Sequence, residues 1–181
     1  VASYPRSGNG FLRTILRDLC GVLTTSVDQC PHLAEAILGA TWSGGARTPA
    51  NAMPVEGESP RSYGLPPPKP WTLRPLADII ADPAPHSLKT HLLASDQELP
   101  AVYLVRDARD VLVSYARFAP VHGEHVTDDQ LHRNLRGHIL ESGGAYGSWS
   151  ENVETWLARP RTCLMRFEEL VQRPIESLRV L

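Results

Sequence analysis

Cysteine is scarce in this chain. Cys20, Cys30 and Cys163 are the only three in 181 residues, and their separations match neither a metal-ligand spacing nor a disulfide framework. A zinc-built or disulfide-stapled fold is therefore excluded, and reduced thiols in a cytoplasmic protein are expected. An excess of one charge is lacking too: the net charge is −2 and the pI about 6.4. A general surface for nucleic acid or anionic membrane is not indicated, so any anion site has to be local. No apolar run approaches the length of a membrane span, no signal-peptide pattern opens the chain, and no repeat recurs at a fixed period.

What is present is the composition of a globular protein, 42% hydrophobic and 21% charged, in a length that suits one domain with a real core. A single domain over 1–181 is expected. The start at Val1 inside strand-like sequence and the end at Leu181 inside helix-like sequence predict that residues are missing on both sides.

The opening stretch Ser3-Tyr4-Pro5-Arg6-Ser7-Gly8-Asn9-Gly10-Phe11-Leu12-Arg13 organises the rest. A strand stub, Val1 to Tyr4, precedes it. Behind it Leu12, Ile15, Leu16 and Leu19 fall on one helix face, which Gly21 closes. A strand passing through a Gly/Ser turn into a helix N-terminus aims backbone N–H groups and the positive end of the helix dipole at one point, which suits an anion. Arg6 adds a fixed charge. No Lys-Ser or Lys-Thr pair follows a second glycine, so the magnesium-holding hydroxyl of a Walker A loop is missing and a metal-dependent nucleotide kinase loses ground.

Further along, residues 31–40 read as a short helix with proline near its start. Ten of the sixteen prolines then lie between Thr41 and Ser87. That density forbids a ladder or a long helix and predicts an irregular excursion over about 41–87, with one helical turn near Leu76 to Ala81; it is either a lid or substrate wall or a disordered insert. Ser87 to His91 is extended but too short to classify, and Ala101 to Val105 suits a buried parallel strand. Asp107 is a fitting N-cap for a helix that places Val111, Tyr115 and Phe118 on one face. Thr127 and Gln130 form a capping box for a helix with Leu131, Leu135 and Ile139 inward, closed by Gly143-Gly144. Trp149, Val153 and Trp156 mark a fourth helix, stopped by Pro160. Thr162 to Phe167 is another strand, followed by a helical turn at Glu168 to Val171.

Strands alternating with helices predict an α/β fold, a parallel β-sheet flanked by helices, with ligands bound outside the carboxyl ends of the strands. Arg6 to Gly10, Lys89 to His91 and Arg106 should meet there. Lys89 and His91 stand two apart, so an extended chain puts both side chains on one face, a cation beside a base that titrates near neutrality. His86, His122, His125, His132 and His138 fit no such motif and are expected to be solvated.

These motifs resemble those of the sulfotransferase family. The first loop is similar to that family's 5'-phosphosulfate loop, Tyr-Pro-(Lys/Arg)-Ser-Gly-(Thr/Asn)-Thr-Trp. Ser87-Leu88-Lys89-Thr90-His91-Leu92 resembles its Lys-(Thr/Ser)-His-Leu-Pro segment. Tyr103 to Tyr115 fills every signature position of its 3'-phosphate motif, Tyr-(two apolar)-Arg-(Asn/Asp)-x-(Arg/Lys)-Asp-x-x-x-Ser-Tyr. Tyr146-Gly147-Ser148-Trp149 and Met165 to Leu170 extend the likeness, which runs from Tyr4 to Pro174 with the Pro-rich excursion unmatched.

The resemblance implies a P-loop-like nucleotide-binding architecture and a metal-independent transfer of a sulfuryl group from 3'-phosphoadenosine 5'-phosphosulfate to a small-molecule or glycan acceptor. It implies His91 as general base, Lys89 and Arg6 as stabilisers of the leaving oxygen, and Ser7, Gly8, Asn9 and Gly10 with Arg6 around the 5'-phosphate. It further implies Arg106 and Ser114 on the 3'-phosphate, and Phe11 and Phe167 at the adenine. Arg6 stands where many members have lysine, Gly10 where they have threonine, and the family's late Arg-Lys-Gly loop has no counterpart before Leu181. A non-catalytic nucleotide-binding module is the alternative; neither acceptor nor oligomeric state is readable.

Overall fold

The computed structural model describes residues 1–26, 81–95, 99–118, 126–140 and 146–181. The expected helix at 31–40, the Pro-rich stretch as far as residue 80, the turn near Leu76, and Gly143-Gly144 lie outside the described residues, as do His122 and His125.

Four strands and six helices are described: α1 (Asn9–Cys20), β1 (Leu23–Ser26), β2 (His86–Lys89), β3 (Ala101–Val105), α2 (Ala108–Ala116), α3 (Asp128–Leu140), α4 (Trp149–Ala158), β4 (Thr162–Arg166), α5 (Phe167–Gln172) and α6 (Pro174–Leu178). β1 pairs with β2 and β3 with β4, both in parallel. The opening residues lie between the two pairs. Ser3 N donates to Thr90 O (3.2 Å) and Thr90 N to Val1 O (3.0 Å), while Ala2 N donates to Val102 O (2.8 Å) and Leu104 N to Ala2 O (2.9 Å). The order across the layer is thus β1, β2, Val1–Ser3, β3, β4, all parallel. Every carboxyl end falls on one edge, which carries the loop after Ser3, His91, Arg106 and Phe167 together.

Both faces of the layer are covered, as apolar strands of a parallel sheet require. Successive residues of β3 point to opposite sides. Leu104 joins Leu12, Met165 and Leu170, with Ile15 and Leu16, under α1 and α5. Tyr103 joins Ala2 and Trp156 under α4, and the Tyr103 and Trp156 rings stack at 5.8 Å.

Local signals set the helix ends. Gly21 closes α1 in a left-handed conformation, and its N–H reaches the carbonyls of Leu16 and Arg17. Asp107 caps α2, the Thr127–Gln130 box opens α3, and Ser148 with Glu151 forms a second box on α4. α4 ends before Pro160 because Arg159 takes the extended conformation favoured ahead of proline.

Three apolar expectations fail. Leu19 is exposed in the last turn of α1, past the cluster that buries Leu12. Phe118 lies beyond the end of α2 and is half exposed. Ile139 is also exposed, because α3 meets α2 through Asn134, whose Nδ2 donates to Ala116 O (3.0 Å), and through His138, which stacks on Tyr115 at 4.2 Å. Two histidines expected to be solvated are not: His138 is in that stack, and His86 Nε2 sits 2.9 Å from Asp82 Oδ2.

At the start of α1, Gly8 has φ 90°, and the space a Cβ would fill there is taken by the Phe167 ring. At Gly10 a Cβ would meet nothing within 4 Å. Gly8→Ala is therefore expected to destabilise by more than about 1 kcal/mol, and Gly10→Ala to stabilise by about 0.4–1 kcal/mol, when urea midpoints are compared. Burial also pushes the Tyr4 phenol from 10 up to about 12, and raises those of Tyr103 and Tyr115. Since the folded value exceeds the unfolded one, this stability is whole below pH 10 and is lost as pH rises through 12. Urea midpoints should hold to pH 10 and then fall with the rise of tyrosinate absorbance, less steeply in Tyr4→Phe.

Candidate functional site

Between the strand at Val1–Ser3 and α1, the backbone turns through left-handed conformations at Arg6 (φ 69°) and Gly8 (φ 90°), on either side of buried Ser7. Left-handed residues in such a turn make the concave N–H surface that receives anions. For arginine this conformation is costly, on the order of 1–3 kcal/mol, and the surrounding contacts hold it. No side chain caps α1, so its first amides face the loop without a cap acceptor, at the positive end of the helix dipole. Asn9 and Gly10 are the first residues of that helix.

Three charged or hydroxyl groups gather over the loop. Arg6 Nε donates to Ser114 Oγ (3.3 Å), and its guanidinium lies 4.7 Å from the Phe118 ring centre. Arg106 donates from Nη1 to the carbonyl of Arg6 (3.4 Å), has Nη2 3.6 Å from Asp110, and lies 4.9 Å over the Phe167 ring. Phe167 in turn packs on Gly8 and meets Phe11 edge-to-face at 6.3 Å. Arg6, Gly8, Phe11, Arg106, Ser114 and Phe167, drawn from three separate stretches of sequence, thus form one cluster. Asp107 stays just outside it. Its N–H donates to Glu168 Oε1 (2.9 Å), and the Arg109 side chain bonded to its carboxylate holds that carboxyl well below the usual range. That pair fixes the turn from β3 into α2.

Polar atoms in the loop await a partner of another kind. Ser7 Oγ, Asn9 Oδ1 and Arg106 Nε are buried without a hydrogen-bond partner in the protein. A hydroxyl and a guanidinium N–H are donors suited to phosphate oxygens, so the residues present fit a phosphate group.

His91 is held on the other side of the loop. β2 ends at Lys89, which is in register with Ser26, and burial then alternates through half-buried Lys89, buried Thr90 and half-buried His91. His91 Nδ1 lies 2.7 Å from the backbone carbonyl of Ser3. A carbonyl only accepts, so Nδ1 carries the hydrogen, and in the neutral ring Nε2 then carries the lone pair, which is the form a base requires. Ser3 is wholly buried; its hydroxyl receives Asn9 Nδ2 (3.1 Å) and stands 3.4 Å from His91 Nδ1. A short polar chain therefore runs from the first residue of α1 to the imidazole.

Two participants were not singled out by sequence. Ser3 offers no signal, being one small residue in a strand. Asn152 does leave one: it stands four residues before Trp156 on the inward face of α4, where a polar residue has to find partners. It bonds the carbonyls of His91 (3.0 Å) and Tyr146 (2.8 Å) and the hydroxyl of Tyr103 (2.8 Å). Among the described residues no group of three His, Cys, Asp or Glu is placed to hold a metal, and no helix is long and apolar enough to cross a membrane.

The known proteins to which this chain is similar include several sulfotransferases. Sulfotransferase 1A1 of Mus musculus is 28% identical over 196 residues, covering 99% of this chain and 56% of that protein. Sulfotransferase 1A1 of Bos taurus is 38% identical over a shorter 91 residues, 44% of this chain and 29% of that one. The chain spans about half the length of the curated relatives it matches along its whole extent. Among solved structures, mouse sulfotransferase SULT7A1 complexed with PAP has the same α/β fold, at a TM-score of 0.56 and 16% identity, over 99% of this chain and 54% of its own. The family model for the sulfotransferase domain matches residues 1–181 from end to end, and the chain belongs to that family.

Proposed function

We propose that this chain carries the donor site and base of an enzyme that moves a sulfuryl group from 3'-phosphoadenosine 5'-phosphosulfate to a hydroxyl or amine of an acceptor. The observation that carries the reading is the meeting of the Arg6–Gly10 loop, the Arg106–Ser114–Phe167 cluster and a His91 whose Nε2 bears the lone pair, all at the carboxyl edge of one parallel layer. Family membership and the PAP of the mouse neighbour point to the same nucleotide. Free thiols at Cys20 and Cys163 support a cytoplasmic location.

When bound, the donor supplies the sulfuryl group and a phosphate leaving group. The chain does the rest by position and charge. Amides from Gly8 to Gly10 and the Ser7 hydroxyl hold the 5'-phosphate, the Ser7 amide being bonded to Tyr4 O; Arg106 and Ser114 hold the 3'-phosphate; Phe11 and Phe167 flank the adenine. His91 Nε2 takes the proton of the acceptor as its oxygen or nitrogen bonds to sulfur. Lys89 and Arg6 offset the charge gathered on the bridging oxygen as the old sulfur–oxygen bond breaks, releasing adenosine 3',5'-bisphosphate.

Two substitutions separate these roles. His91→Ala is expected to lower turnover of a phenol such as 4-nitrophenol by about 10²-fold or more while adenosine 3',5'-bisphosphate still binds, as read by calorimetry; substantial remaining turnover would remove His91 as base. Arg106→Ala is expected to weaken adenosine 3',5'-bisphosphate by about 1.5–3 kcal/mol and leave adenosine 5'-phosphate almost unchanged. An unaltered ratio of the two affinities would refute its place on the 3'-phosphate. Should the wild-type chain bind the bisphosphate without any turnover, the non-catalytic module is the better description.

A further inference from the structure

The side chain of Asn152 makes three hydrogen bonds to residues outside its own helix. It is completely buried in α4. Its Nδ2 donates to two carbonyls, of His91 and of Tyr146, and its Oδ1 accepts from the Tyr103 hydroxyl. Carbonyls only accept, so Nδ2 has to face them, and the orientation of the amide is settled. One turn further on, Trp156 Nε1 donates to Leu92 O (3.0 Å).

The need for these donors follows from the strand. Backbone pairing runs through Thr90 and stops there. The carbonyls of His91 and Leu92 follow the last residue of the ladder, and side chains of α4 donate to both. A cap of that kind would suffice for folding. Asn152 does more, because its second carbonyl belongs to Tyr146, whose ring meets the His91 imidazole edge-to-face at 6.0 Å. One amide therefore fixes the backbone that carries the imidazole and the backbone that carries the ring packed against it. On the imidazole's other side stands Ser3 O, which selects the Nδ1–H tautomer.

We propose that Asn152 is the positioning residue for His91, holding His91 and Tyr146 in register so that Nδ1–H stays on the Ser3 carbonyl and Nε2 keeps its lone pair for the acceptor. The inference rests on the reading of His91 as the base, and touches neither the donor nor the acceptor directly.

The test is nitrogen-15 NMR of the imidazoles in the whole chain near neutral pH, with His91 assigned through His91→Gln, alongside steady-state transfer to 4-nitrophenol. Wild type is expected to show the Nδ1–H tautomer. In Asn152→Ala the Nε2–H form should appear, kcat should fall by about 10- to 100-fold, and KM for the donor should stay as it was. Tyr103→Phe removes the third bond of the same amide and leaves both donors in place; it should lower the urea midpoint without changing tautomer or kcat. Circular dichroism checks folding, and Asn152→Ser, which keeps one small donor, replaces Asn152→Ala if that variant does not fold. A folded Asn152 variant with the wild-type tautomer and kcat overturns the proposal. So does a Tyr103→Phe variant that alters the tautomer and kcat as much as Asn152→Ala, because the role would then be structural only. If wild type fails to transfer, or His91→Ala transfers normally, the base reading falls by itself, and the tautomer comparison still decides whether Asn152 holds the ring.

Discussion

Everything at this site depends on parallel alignment through one three-residue segment. Val1–Ser3 exchanges backbone hydrogen bonds with Thr90 on one side and with Val102 and Leu104 on the other. Because all the strands run the same way, each chain leaves the layer at the same edge, and the loop, His91, Arg106 and Phe167 arrive there without any long connection having to reach for the site. Antiparallel pairing of β3 with β4 would have sent Phe167 to the far edge. The aromatic and cationic cluster is in this sense a consequence of strand direction, with side-chain contacts adding detail.

The detail is a division of labour between the two faces. On one side of the layer α1 and α5 bury Leu12, Leu104, Met165 and Leu170, and so bring the start of α1 and the Phe167 ring against each other. On the other, α4 buries Trp156 against Tyr103 and places Asn152 beneath the His91 backbone. The loop with its arginine and phenylalanine cluster is thus supported by one core and the imidazole by the other, and Ser3 is where they join: its carbonyl takes His91 and its hydroxyl takes Asn9.

What could be read from sequence was what short-range chemistry controls. The caps at Asp107 and Thr127, the terminators Gly21 and Pro160, and the apolar run at Ala101–Val105 are each decided within a few residues, and each was legible. The motifs also indicated which strand ends should converge. Illegible were features made by contacts far apart in the chain. Asn152 gains its role from partners 61 and 49 residues away, and Ser3 meets His91 at a separation of 88. Likewise α3 meets α2 through Asn134 and His138 and leaves Ile139 exposed, because those two polar residues found partners on α2. Periodicity registers hydrophobicity, and it has no means of seeing a polar contact that tertiary packing satisfies.

The position of Val1–Ser3 has a thermodynamic consequence. Among the described residues the two strand pairs meet through five main-chain hydrogen bonds of this segment, four between peptide groups, each worth a net ~0.5–1.5 kcal/mol, and one from Val1 N to Leu88 O. A molecule that grips Arg6 and Arg106 while its reacting end lies by His91 spans this seam from β3 to β2. Its binding energy adds to that of the seam, and opening the seam releases the molecule. Ligand concentration therefore sets the cohesion of the sheet in the same way that sheet cohesion sets affinity, and slow amide exchange at Ala2, Thr90 and Leu104 becomes a direct gauge of occupancy.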